Sequence, residues 1–233
     1  MTAMAEGVVV DLGGHTVTVA LRRSARARRM CLRLDPVAGP VVVLPPRAGP
    51  AEAERFLAQH RIWLAERLAR LPERVPLVPG ARVPLLGVDH EIRHLPGARG
   101  GAWAEEGVLN VTGRTEHVPR RVLDFLRAEA RRHILPHAFR LADRLGRLPA
   151  HISLRDTRSR WGSCSGRGDL SFSWRLVLAP EEVLIYVVAH EVAHLAEMNH
   201  SPAFWATVAR LAGDPAPAKR WLKANGGRLH RYG

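Results

Sequence analysis

Cysteine is scarce in this chain of 233 residues: Cys31 and Cys164 are the two present. That is too few for the disulfide framework of a small secreted domain. Long apolar runs are missing as well. No stretch approaches the ~18 uninterrupted apolar residues of a membrane span, and MTAMAEGVVVDLGG has no basic segment before its short apolar run. The expectation is a cytoplasmic protein with no membrane partner. Lysine is almost absent, with Lys219 and Lys223 alone among 35 basic residues, which reads as a genomic base-composition bias. Internal repeats and long low-complexity linkers are lacking too, so the chain can form one continuous unit.

What is present is a 46% hydrophobic composition, enough for one or two cores, and a net charge of +13. Such a charge suggests an anionic partner, a nucleotide or a nucleic acid. Arg22, Arg23, Arg26, Arg28 and Arg29 form the densest basic cluster. It could track a phosphate backbone, but it has no aromatics to stack on bases, and a hairpin with an exposed charged loop is the better account.

Residues 190–200 read HEVAHLAEMNH. His190 and His194, four apart, project from one face of a helix, where a single tetrahedral Zn²⁺ can take both imidazoles. Glu191 lies beside them, and His200 follows six residues after the second histidine. Three nitrogen ligands and a carboxylate leave one metal position open, which is the composition of a catalytic zinc site. Pro180-Glu181-Glu182 is a helix start, and VLIYVVAHEVAHL (183–195) is apolar almost all round, so this helix should be buried. The bland alternative is a pair of core histidines bonded to backbone carbonyls. For the third ligand to swing back, the helix must end before His200, with Asn199 able to take a left-handed conformation. Ser201-Pro202 then caps a helix running to about Gly213. Glu197, on the same helix face, is too far along the axis to converge. Metzincins share the three histidine positions, but they need glycine where Glu197 stands and a methionine turn, and no methionine follows Met198.

The same five-residue pattern occurs at HEIRH (90–94), between PLLG and PG. That window reads as a strand, on which His90 and His94 would sit ~13 Å apart, too far for one ion. His133 and His137 also have the four-residue spacing, straddling Pro136. They lack an intervening glutamate and read as surface histidines.

Upstream of the buried helix, Ile152 to Asp156, Ser159 to Ser163 and Leu170 to Trp174 read as short strands, the last two joined by a Gly166–Gly168 turn. RSRWGSCS (158–165), WRLVLAP (174–180), YVVAHEVAHL (186–195), NHSPAFW (199–205) and KRWLKANG (219–226) together resemble the YgjP-like metallopeptidase family, which is related to the SprT and WLM groups of zinc peptidases. Weaker similarity runs upstream through Arg22–Arg33 and Val43–Pro46. The resemblance implies an α+β fold with a zincin-like core, a small antiparallel sheet packed on the HExxH helix. It implies His190, His194 and His200 as ligands of one Zn²⁺ per chain, and Glu191 as the acid–base that takes a proton from the zinc-activated water. The segment Ser159 to Ser163 is then the candidate edge that pairs with a protein or peptide substrate, making Arg158, Arg160, Trp161, Gly162 and Ser163 candidate substrate-binding residues.

The chain divides loosely into a β-rich region, 1–115, with a hairpin turn at Gly13-Gly14 and one helix at about 51–71, and a zincin-like region, 116–233. Val118 to Gly146 should be helical, with a kink or restart at Pro136. A metallopeptidase is the first functional reading. The arginines at 155, 158, 160, 167 and 175 keep a second open, a metal-dependent nucleoside triphosphate pyrophosphatase. A third is a nucleic-acid-associated protease or binding module. Cys164 could be a ligand or redox switch, though a small buried residue is the simpler account.

Overall fold

The computed structural model describes residues 7–14, 16–35, 39–69, 74–157 and 159–233. Arg158 and the expected helix end at Leu71 lie outside them. Alternating apolar residues in Gly7–Asp11 and Thr16–Arg23 form strands β1 and β2, an antiparallel pair. Gly13 and Gly14 turn between them with φ of 82° and 129°, which side chains with a Cβ rarely adopt. Strands β3 (Cys31–Asp35) and β4 (Gly39–Leu44) form a second antiparallel pair, and β4 runs parallel to β2, giving the order β1-β2-β4-β3. Two helices follow where one was expected. Helix α1 (Pro50–Gln59) stops at His60, whose Nδ1 is 2.8 Å from the Phe56 carbonyl, and α2 (Arg61–Ala69) starts after it. Val10, Val19, Val42, Leu44, Leu57 and Leu64 make the core of this unit, which spans Met1–Pro72. The basic cluster is an exposed loop in part. Arg23, however, donates to the carbonyls of Pro46 and Ala48, at 3.1 and 2.6 Å.

The second unit, Glu73–Gly233, contains everything of chemical interest. It opens with β5 (Arg82–Leu85), β6 (Val88–Leu95), β7 (Ala102–Glu105) and β8 (Val108–Thr112), in the order β5-β6-β8-β7 with β6 parallel to β8. This repeats the topology of the first sheet, two hairpins joined through a parallel central pair. The sequence shows no trace of the repeat, because different apolar residues satisfy the same register. HEIRH lies in β6, as its flanks predict. His90 Nδ1 meets the Val88 carbonyl, and His94 Nε2 meets the Gly113 carbonyl at 2.6 Å.

Helix α3 (Val118–Leu145) is unbroken over 28 residues. Val122, Leu126, Ala130, Ile134 and Ala138 recur every fourth residue and are fully buried, whereas Pro136 is exposed. Burial of that stripe holds the helix together through the hydrogen bond that the proline deletes, so the expected restart does not occur. Gly146, at φ 68°, ends the helix in the left-handed conformation.

The small sheet beside the candidate site consists of β9 (His151–Arg155), β10 (Gly162–Cys164) and β11 (Asp169–Ser173), in the order β10-β11-β9. It is mixed rather than antiparallel as expected: β9 runs parallel to β11, and the loop and β10 between them make the crossover. Strand β10 is also shorter than the expected Ser159 to Ser163, and Trp174 leaves the sheet to start a buried 3-10 segment, Trp174–Leu178. Helices α4 (Glu181–Ala193), α5 (Pro202–Ala212) and α6 (Ala216–Leu229) complete the unit. The architecture is mixed α+β with small sheets and helices. Among the described residues no helix is long and apolar enough to cross a membrane.

Among the described arginines of its block Arg175 alone is buried, at 2% exposure. It pairs with Asp156, lies over the Trp174 ring at 4.4 Å, and donates to the carbonyls of Tyr232 and Gly233 at 3.2 and 3.3 Å. It therefore ties the end of the chain to the 3-10 segment. Arg175→Ala should lower unfolding free energy by roughly 3 kcal/mol, because it takes the charged donor from the Tyr232 and Gly233 carbonyls and leaves a void where the side chain lay. Urea denaturation of the two proteins checks this, and equal midpoints would refute it.

Candidate metal centre

Helix α4 begins after Pro180 with Glu181 and Glu182 in its first turn, where acids complement the helix dipole. Tyr186 to Ala189 are all buried, so the helix lies within the core and carries His190 and Glu191 inward in its last turn. His194 is its C-cap, still in the right-handed region at φ −65° and ψ −16°, so the one-turn relation to His190 survives the helix end. The chain departs here, earlier than expected. Asn199 does not supply a left-handed turn, since Leu86 and Glu106 are the only described non-glycine residues with positive φ. What curls the chain instead is His194, whose Nδ1–H donates to the Glu197 carbonyl at 2.9 Å. In a neutral ring that bond leaves Nε2 as the free lone pair.

His200 then arrives ahead of Ser201, whose hydroxyl accepts from the Phe204 N–H at 3.3 Å and caps α5 as the sequence predicts. The ligand atoms of His190, His194 and His200 all lie within 4.8 Å of one another, and the Nε2 atoms of His190 and His200 are 3.1 Å apart. Three imidazoles converging in this way fit a divalent cation of borderline softness. Two ring nitrogens so close repel unless a cation or a shared proton lies between them. The buried Phe204 ring underlies all three, with centroids 4.9, 4.5 and 4.7 Å from His190, His194 and His200. Trp205 stacks on His200 at 5.8 Å, and Lys219 sits over that indole at 4.2 Å. Phe204, Trp205 and Lys219 escaped sequence reasoning as site residues, although the periodicity of α5 marks Phe204 as inward-facing. Burial, with smaller contributions from His194, His200 and Lys219, lowers the His190 pKa to about 4, so its imidazole is neutral near pH 7.

Glu191 is buried, at 7% exposure, and burial raises its pKa to about 7 against an opposing effect of Arg160. It fits because residue 162 is glycine: a Cβ there would lie 2.5 Å from Glu191 Cγ and 2.7 Å from Oε1. The glycine of RWGSC is thus the space occupied by the HEVAH carboxyl. Trp161 points away, stacking on His230 at 5.0 Å and touching Gly226 of α6, which makes it a packing anchor. Ser163 and Arg160 line a cleft on the small sheet. Cys164 is half-buried and stays a thiol, its pKa raised to about 11 by burial and the nearby Glu191 and Asp169, and it is not among the converging ligands. The arginine block does not act as one cluster, because Arg175 is buried and engaged with Asp156. His133 and His137 are half-buried rather than surface residues, with Nε2 3.6 Å from Glu129 and 3.5 Å from Glu181.

A family model for the YgjP-like metallopeptidase domain matches residues 28–225. The match supports a metal-dependent peptidase domain. The chain belongs to the YgjP-like family. Among solved structures, the metallopeptidase zymogen abylysin of Pyrococcus abyssi is similar at 20% identity, covering 39% of this chain and 93% of that one, with a TM-score of 0.36. No curated protein matches.

The buried carboxyl makes a pH prediction for the chelator-treated protein. The folded pKa of Glu191 lies above its unfolded value, so the folded state holds the proton more tightly and this group's contribution to stability is lost as pH rises from about 4.5 to about 7, opposite in sign to that of His190. Glu191→Gln removes this dependence. The variant and wild type should be equally stable below that window, and the variant more stable by on the order of 1–3 kcal/mol above it. Denaturant titrations across the window measure the difference, and a constant offset would contradict the assignment.

Proposed function

We propose that the chain is a zinc-dependent peptidase with a zincin-like core, in which His190, His194 and His200 hold one Zn²⁺ and Glu191 is the general acid–base. The convergence of three imidazole nitrogens within 4.8 Å carries the reading, with the buried carboxyl on the next residue of α4. Bound Zn²⁺ supplies Lewis acidity, polarising a carbonyl and making water more acidic. The protein's own contribution lies in its side chains. Glu191, with a pKa of about 7, can accept a proton on a carboxylate oxygen as water attacks and return it to the leaving amine nitrogen. Arg160 favours the ionised form that accepts it. Strand β10 is an edge of its sheet, so an extended peptide can add to it and be held by backbone hydrogen bonds independent of sequence. All these groups lie within the region 116–233 proposed as catalytic.

Glu191→Gln should retain one Zn²⁺ per chain and lose roughly 10³-fold in casein hydrolysis, within the range of a lost general base. His190→Ala and His194→Ala should lose the metal. Metal analysis with parallel protease assays tests both, and a wild type that takes up no Zn²⁺ on refolding would end the proposal. Gly162→Ala should keep the metal but lose roughly 10²-fold in kcat, because the new methyl group displaces the Glu191 carboxyl. An unchanged kcat would show that the close approach is incidental.

A further inference from the structure

The outer face of the small sheet carries a polar cleft whose serines and Arg155 the chemistry above does not use. Strand register sets Ser163, Ser171 and Ser153 side by side across β10, β11 and β9. Alternation puts them on the face opposite Leu170 and Phe172, which belong to the core. A cleft of about 620 Å³ opens over this row, with Arg155 and Arg160 in its wall. The one acid lining it, Asp169, is occupied by the Ser165 hydroxyl at 3.0 Å. Among the described residues Arg155 reaches the Ser153 hydroxyl, at 3.4 Å, and neither Arg155 nor Arg160 has an ion-pair partner. The cleft is a row of hydroxyls beneath two guanidiniums without ion-pair partners among the described residues, Arg160 acting also on Glu191, and such a set of donors suits a carboxylate.

Its position relative to β10 says which carboxylate. Gly162 faces Glu191, so Ser163, the next residue, faces the other way, into the cleft. A peptide added along the free edge of β10 follows the same alternation. When one of its residues projects toward the Glu191 face, the residues on either side project toward Ser163 and the arginines. We propose that this cleft is a specificity subsite for an acidic side chain, Asp or Glu, next to the residue presented to the metal centre. The inference rests on the peptidase reading and deepens it. It assigns Arg155 and Arg160 to selection of the substrate.

Two arms of one experiment test it separately from that reading. In the first, fluorescein-labelled extended peptides with Glu, Gln or Lys at the varied position are titrated by anisotropy against metal-free Glu191→Gln protein. The Glu peptide should bind about tenfold more tightly than the Gln peptide, with the difference shrinking as salt rises. Arg155→Gln should bring the ratio toward one, and Arg155→Glu should invert the order in favour of Lys, an outcome that a misfolded variant cannot produce. Arg167→Ala, on the turn outside the cleft, should leave the ratio unchanged. In the second arm, kcat/KM of Zn²⁺-loaded wild type is measured on the same peptides and should follow the same order. Equal binding and cleavage of Glu and Gln peptides would overturn the subsite while leaving the peptidase intact. Acid-selective binding with no cleavage of any peptide would support the cleft and overturn the peptidase. Release of pyrophosphate from nucleoside triphosphates, abolished by Arg155→Glu, would overturn the inference by giving the arginines to another substrate.

Discussion

Glu191 stands where a side chain on residue 162 would have to be, its Cγ 2.5 Å from the position of the missing Cβ. That contact joins β10 to α4 face to edge, and the rest of the second unit is arranged to allow it. Burying a carboxyl on a core helix is unfavourable. Here the Arg160 guanidinium opposes that penalty by favouring the ionised form. A larger residue at 162 would push the strand outward or the carboxyl aside, and either change would separate that carboxyl from the histidines. The short edge strand and the helix are therefore one functional element, although 29 positions separate Gly162 from Glu191 in the sequence.

Each imidazole of the triad is fixed by a different physical device. The buried α4 places His190 against Phe204. His194 leaves the helix at its C-cap and is held by the Glu197 carbonyl, which also sets its tautomer. His200 comes from an exposed loop and depends on the Ser201 cap that fixes the start of α5 and on the Trp205 ring beside it. The converging ring nitrogens thus depend on a buried helix, a main-chain carbonyl and a side-chain cap.

Much of this was legible before any coordinates. The buried helix, the Ser201 cap, HEIRH as a strand and Gly13-Gly14 as a turn all follow from local signals: period, cap chemistry and punctuation. What could not be read was non-local or carbonyl-borne. The parallel pairing of β9 with β11 depends on a crossover that no residue type announces. The chain reversal after α4 is made by a main-chain oxygen, while the sequence pointed to Asn199. Pro136 is a helix breaker by propensity, but the apolar stripe from Val122 to Ala138 overrides it. Arg175 looked like one of several substrate-facing arginines because its neighbours are charged, and only the fold shows it holding the last two residues of the chain.

Burial acts on the two kinds of titratable group at this site in opposite directions. Removing water penalises the charged form, which for His190 is the cation and for Glu191 the anion. One environment therefore lowers the histidine pKa to about 4 and raises the carboxyl pKa to about 7. The result near neutral pH is an uncharged donor for a cation and a carboxyl that can both take and release a proton. A more exposed helix would leave His190 nearer its ordinary value and the carboxyl too acidic to hold a proton. Complete burial without Arg160 nearby would leave the carboxyl protonated and unable to accept one. The chemistry proposed for this family member thus follows from the depth at which α4 lies in the core, with Gly162 and Arg160 setting how much of that burial the carboxyl experiences.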